Sequence, residues 1–179
     1  RCMRAFTEFV DSLSEWTGRF VAWFTLAIVL IQFAVVLMRY VFGVGSIWAQ
    51  ESILYLHAFL FMLAAAYTLK HDGHVRVDIF YREARPRLKA TVNLVGALLF
   101  VVPVALVILK LSWPYVGQSW AILEKSKETS GIPAVFVLKT AIPLFAVQMV
   151  LQGLSMAAHA ALALGGDHDE LEALRFHGN

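Results

Sequence analysis

A chain of 179 residues that is 59% hydrophobic and only 16% charged does not have the make-up of a soluble domain, where about a quarter of residues carry charge. A formal net charge of +2, with no basic stripe and interleaved aromatics outside one central loop, excludes nucleic acid as a partner. The single cysteine, Cys2, excludes an internal disulfide and any thiolate metal or redox pair.

In chain order, residues 1–19 set Phe6, Phe9, Val10, Leu13 and Trp16 at helical spacing against Glu8, Asp11 and Glu15. This pattern predicts an amphipathic N-terminal helix lying along a membrane surface. A first apolar span follows over about residues 20–40, with Thr25 and Gln32 as its clearly polar side chains before Arg39 and Tyr40. Its apolar run is longer than that of a cleaved signal peptide and lacks a small-residue cleavage site, so it reads as a retained anchor. Gly43, Val44, Gly45 and Ser46 then make a tight turn that forces the next helix to pack antiparallel.

The second span covers about residues 48–69, opening on Trp48 with Glu51 in its first turn, where the helix dipole favours an acid. Residues 70–89 form the long polar interruption of the chain and hold six of its fifteen Lys and Arg residues. Pro86 suits the first position of a third helix, whose span runs over about 90–111, and Pro103 inside it predicts a kink. From Ser112 to Pro133 the aromatics Trp113, Tyr115 and Trp120 suit a membrane interface, and Glu124, Lys125, Lys127 and Glu128 suit water; the third helix alternatively continues to Leu123. The fourth span covers about 134–158. Its apolar character persists to Leu164, longer than one crossing needs, so the helix is expected to tilt or to emerge from the membrane. Gly165, Gly166 and the acids after them read as a solvated tail. The expected fold is an all-α integral membrane protein, a single domain with four transmembrane helices and an amphipathic N-terminal helix.

Positive charge orients these spans. Placing loop 70–89 inside puts ten Lys and Arg residues on that side against four on the other, with Lys139 within the membrane. Short loops rich in Lys and Arg resist translocation, so both termini are expected in the cytoplasm.

Several side chains invite a chemical reading. His71, Asp72, His74 and Asp78 match no zinc spacing, and a polar turn with Gly73 as the cap of the second helix explains them better. His57 and His159 are candidate axial ligands for a four-helix haem-binding membrane redox subunit, although their depths disagree. Arg39 and Glu51 flank the tight turn. They either pair or leave Arg39 to reach lipid phosphates, and Lys139 faces the same choice. Gln32, Gln148 and Gln152 lie deeper and are expected to hydrogen-bond between helices. No Walker motif, nucleophile with its base, or repeated pair of broken spans is present, so neither an enzyme nor a transport pathway is legible.

Three stretches resemble one family. They are Arg39, Tyr40, Val41, Phe42 and Gly43 followed by Trp48 and Glu51; Ala65, Ala66 and Tyr67 leading to Gly73, His74, Val75, Arg76, Val77 and Asp78; and Gly131, Ile132 and Pro133 before the last span. In order and spacing they resemble the small, DctQ-like membrane subunit of tripartite ATP-independent periplasmic (TRAP) transporters. The resemblance implies a four-helix scaffold, without cofactor or metal, in the bacterial inner membrane. Its implied partners are membrane lipid, a large TRAP membrane subunit and a periplasmic substrate-binding protein that delivers substrate, typically an organic acid, in a sodium-driven cycle. Arg39, Trp48, Glu51, Gly73, His74, Arg76, Asp78 and Lys139 are then the candidate interface residues. The family often has a second acid before the glutamate, where this chain has Gln50. The run Val137, Leu138, Lys139 resembles a subgroup that handles less usual substrates such as mannitol, 2-oxo acids or chloroaromatics.

Overall fold

The computed structural model describes residues 2–74, 81 and 84–176. Its elements are α1 (Cys2–Val41), α2 (Ile47–Lys70), α3 (Pro86–Gly96), a π-helical turn (Ala97–Val101), α4 (Val102–Ala121), α5 (Val135–Leu164) and α6 (His168–Phe176). No strand occurs among the described residues. Four helical runs, Met3–Val41, Ile47–Lys70, Pro86–Ala121 and Val135–Leu164, are long and apolar enough to cross a membrane. The protein is thus an all-α, multi-pass membrane protein. Its even number of spans places Cys2 and Phe176 at one end, the termini end, and the α1–α2 turn at the other, the hairpin end.

The amphipathic segment and the first span are one helix of 40 residues, not a surface helix followed by an anchor. At 1.5 Å per residue it is about 60 Å long, twice the hydrocarbon thickness, so its first half projects beyond the membrane core. Its amphipathicity also runs opposite to that of a surface helix. Thr7, Val10, Ser14, Thr17 and Val21 are buried within the bundle, while Phe9, Trp16, Phe20 and Trp23 face outward. Of the polar groups on this buried stripe, Ser14 donates to Gln152 of α5, whereas Thr7 and Thr17 donate to the carbonyls of Arg4 and Leu13 within α1 itself.

Helix α5 packs against every other helix. It does so through small side chains: Ala141, Ala146, Gly153, Ser155, Ala157, Ala160 and Ala163 are all buried. With lipid outside, burying large apolar groups gains little, and close backbone approach through small residues is what joins helices. A Cβ on Gly153 would lie 3.0 Å from Val101 and Val102, and one on Gly18 would overlap the Tyr67 ring. These two glycines therefore set the approach of α5 to the π-turn and of α1 to α2.

Pro103 disturbs its helix as expected, and the disturbance takes the form of the π-helical turn just before it. Proline lacks an N–H and its ring crowds the carbonyl four residues back, and widening the turn accommodates both defects. The helix then continues to Ala121, which bears out the longer alternative.

Three helices end in the same way. In α2, Asp72 adopts φ 53°, and the Gly73 and Asp72 N–H groups reach the carbonyls of Thr68 and Leu69. Leu123 (φ 46°) and Gly166 (φ 94°) play the same part after α4 and α5, with Glu124 N–H reaching Ser119 and Asp167 N–H reaching Leu162. These are Schellman turns. The left-handed residue after α2 is Asp72 rather than Gly73; glycine is placed at 73 by space, since a Cβ there would lie 3.0 Å from Thr68 Cγ2. The acidic tail also differs from expectation, because residues 168–176 form α6, which packs on α3 and α5.

Candidate functional site

The polar chemistry gathers into clasps at the two ends of the bundle. At the termini end, Asp11 of α1 accepts hydrogen bonds through Oδ1 from Ser155 Oγ (2.9 Å) and Gln152 Nε2 (3.1 Å) of α5. Its Oδ2 lies 3.1 Å from Nε2 of His159, whose Nδ1 is 2.8 Å from Glu170 Oε1 on α6. Two carboxylate acceptors require both ring nitrogens to donate, so this geometry holds His159 as the imidazolium. No lone pair is left for a haem iron, and His57 stacks on Phe61. One turn further along α1, Ser14 Oγ donates to Gln152 Oε1 at 2.7 Å, and Gln148 Nε2 donates to Thr17 Oγ1 at 3.4 Å. Gln148 and Gln152 thus join helices as expected, whereas Gln32 is exposed.

A neighbouring set ties α1 to α2. Glu15 accepts from Lys70 Nζ (2.9 Å) and from Arg19 Nε (2.9 Å), and His71 Nε2 lies 2.8 Å away. Arg4 pairs with Asp167, which the third Schellman turn presents, and this pair holds the Asp167 carboxyl below the usual carboxylate range. A cavity of about 350 Å3 opens between these groups, with Asp11, Lys70, His71, Asn93, His159 and Glu170 on its walls.

At the hairpin end Glu51 does not turn to Arg39. Its two oxygens accept hydrogen bonds from Ser126 Oγ and from the Ile132 backbone N–H, so it anchors the α4–α5 connection to the start of α2. Gly131 passes so close that a Cβ there would lie 2.7 Å from Glu51 Oε1. Lys139 pairs with Glu124 and sits 4.2 Å above the Tyr115 ring. Glu124 also accepts from Ser119 Oγ at 2.6 Å, and its carbonyl accepts from Val135 N–H at 3.0 Å. The hydrogen bonds from Lys139 and then Ser119 hold the Glu124 carboxyl below its ordinary value. Trp120 Nε1 donates to Thr140 Oγ1 at 2.9 Å, adding a second link between α4 and α5.

The sequence candidates are therefore dispersed. Glu51 and Lys139 serve separate clasps at the hairpin end, Arg39 and Trp48 are exposed there, and Gly73 and His74 lie at the far end of α2. Arg76 and Asp78 fall outside the described residues. Among the described residues no cluster of three His, Cys, Asp or Glu side chains has the arrangement of a metal site. The residues missed were Asp11, Glu124, Ser126 and Glu170, while His159 was read as a candidate haem ligand and not as a link between helices. One signal was available: Thr7, Asp11, Ser14 and Gly18 recur at three- and four-residue steps, a polar and small stripe of the kind that seeks a helix partner.

Comparison with known proteins decides the family. The profile of "Tripartite ATP-independent periplasmic transporters, DctQ component" matches residues 28–163, most of the chain. The chain belongs to that family. The matched range holds all of α2, α3 and α4, together with α5 up to Ala163, and begins within α1, beyond Asp11 and Glu15. Among curated relatives, the C4-dicarboxylate TRAP transporter small permease protein DctQ of Vibrio cholerae is 32% identical over 108 residues, 60% of this chain and 45% of that relative. The chain thus aligns with less than half the length of the curated relative it matches. No solved structure matches it. As a DctQ component it is a small TRAP transporter subunit, a part of a transport system.

Proposed function

We propose that this DctQ component is a stationary scaffold for a large TRAP membrane subunit, in sodium-coupled uptake of organic acids delivered by a periplasmic binding protein. One observation carries the reading: Asp11, Glu15, Glu51 and Glu124 are each engaged by donors from a second element of this chain. A carrier of ions or substrate needs polar groups that exchange partners during a cycle, and these hold helices together instead. Broad apolar faces on α1, the π-helical turn and α4, including Phe33, Leu99, Phe100 and Leu111, remain exposed for lipid and for a partner subunit. We place the contact with the large subunit on such a face together with Trp48, His74, Arg76 and Asp78. The charge asymmetry supports an orientation with both termini cytoplasmic, and membership of a TRAP component family supports the bacterial inner membrane as its location.

Reconstitution tests this reading. The chain alone in liposomes is expected to move no organic acid under a sodium gradient, and the large subunit with its binding protein is expected to lose uptake without it. A C4-dicarboxylate is the first substrate to assay, given the relative's name. Sodium-driven uptake by this chain alone, above empty liposomes, contradicts the proposal.

A further inference from the structure

Between the last turns of α1 and the first turns of α2 lies a groove of about 440 Å3, lined by Gln32, Val35, Arg39, Tyr40, Gln50 and Ile53. Glu51, the acid closest to Arg39 in sequence, is engaged by Ser126 and Ile132. Among the described residues the side chains of Arg39, Gln32 and Gln50 have no hydrogen-bond or ionic partner. A guanidinium at the end of a membrane span is costly unless it meets an anion at the interface.

The groove has the form of a lipid site. The planar fork of Arg39 offers paired N–H donors of the geometry that a phosphodiester accepts. Gln50 lies in the first turn of α2, whose N-terminus adds a field favouring negative charge. Gln32 sits seven residues from Arg39, about 10 Å along the helix axis, a depth at which glycerol ester carbonyls would meet its amide. Val35 and Ile53 give the groove an apolar floor, which a free phosphate would not use. An ammonium headgroup would need an acid beside the phosphate, and Glu51 is already engaged.

We propose that this groove is a binding site for one anionic phospholipid, with the phosphodiester on Arg39 and Gln50, the ester region at Gln32 and the acyl chains entering along Val35 and Ile53. Native mass spectrometry of the full chain, delipidated and then titrated with phosphatidylglycerol, phosphatidylethanolamine or inorganic phosphate, tests it. The wild type is expected to retain one phosphatidylglycerol in preference to phosphatidylethanolamine. Arg39→Gln is expected to weaken that retention about tenfold, the scale of one charge-assisted contact, with helix content and melting unchanged. Gln32→Leu, which leaves the charge in place, is expected to weaken it a few-fold and serves as the second variant. Equal retention by wild type and both variants overturns the proposal. Displacement of the lipid by inorganic phosphate at matched concentration overturns it in favour of a free-anion site. Loss of large-subunit association in Arg39→Gln with lipid retention intact overturns it in favour of a protein interface.

Discussion

Glu51 joins α2 to a connection 75 and 81 residues away, through Ser126 and Ile132. Removing its carboxylate leaves the Ile132 N–H without its acceptor. Glu51→Ala is accordingly expected to lower stability by about 1–3 kcal/mol, whereas Arg39→Ala is close to neutral. The double variant should equal the sum, since the two side chains share no partner; a strongly non-additive result in a melting series would restore the Arg39–Glu51 pair. Glu124 gives a pH signature. Its folded carboxyl is held low by Lys139 and Ser119, so its contribution is fully present above the unfolded value and is lost as pH falls through the folded one. Melting temperature should therefore fall more steeply in the wild type than in Glu124→Gln as pH drops below the ordinary glutamate value. Identical acid slopes would remove Glu124 from the account. Sequence could name Glu51 and Lys139 as polar groups at span ends, but their partners are set by tertiary packing. A choice between Arg39, twelve residues away, and Ser126 is not made locally.

Helix by helix, the chain is more legible. Hydropathy marks the four spans, Gly43 to Ser46 mark the hairpin turn, and Pro86 and Pro103 mark a helix start and an internal disturbance. The continuity of α1 was harder to read because composition changes near residue 20 without a helix breaker. The absence of proline from residues 1–41 was the better guide to its length. Helix α6 escaped because its docking rests on Glu170 meeting His159, a contact between elements. That docking is testable. His159→Phe keeps a ring but removes both donors, and backbone amides of residues 169–173 are expected to exchange faster with solvent while those of α5 near Gly153 do not. Unchanged protection of α6 would show that its remaining packing on α3 and α5 holds it without the His159 contact. At Gly153 a valine should cost about 1–3 kcal/mol by crowding Val101 and Val102, visible as a lowered melting temperature. An unchanged melt would mean that the π-turn yields.

For the whole molecule, the clasps at the two ends fix five membrane-associated elements into one frame: Asp11 joins α1, α5 and α6, Glu15 joins α1 to α2, and Glu51 and Glu124 join the α4–α5 connection to α2 and α5. Such a frame suits the proposed scaffold role, in which another TRAP subunit would move against it. The most direct test is to lock the frame and measure transport. With Cys2→Ser as background, cysteines replacing Ser14 and Gln152, whose side chains meet at 2.7 Å, would be cross-linked in the reconstituted tripartite system before sodium-driven uptake is assayed. A stationary scaffold predicts that the cross-linked complex takes up substrate as fast as the reduced one. Uptake that stops on cross-linking and returns on reduction would mean that α1 moves against α5 during the cycle, and would contradict the scaffold.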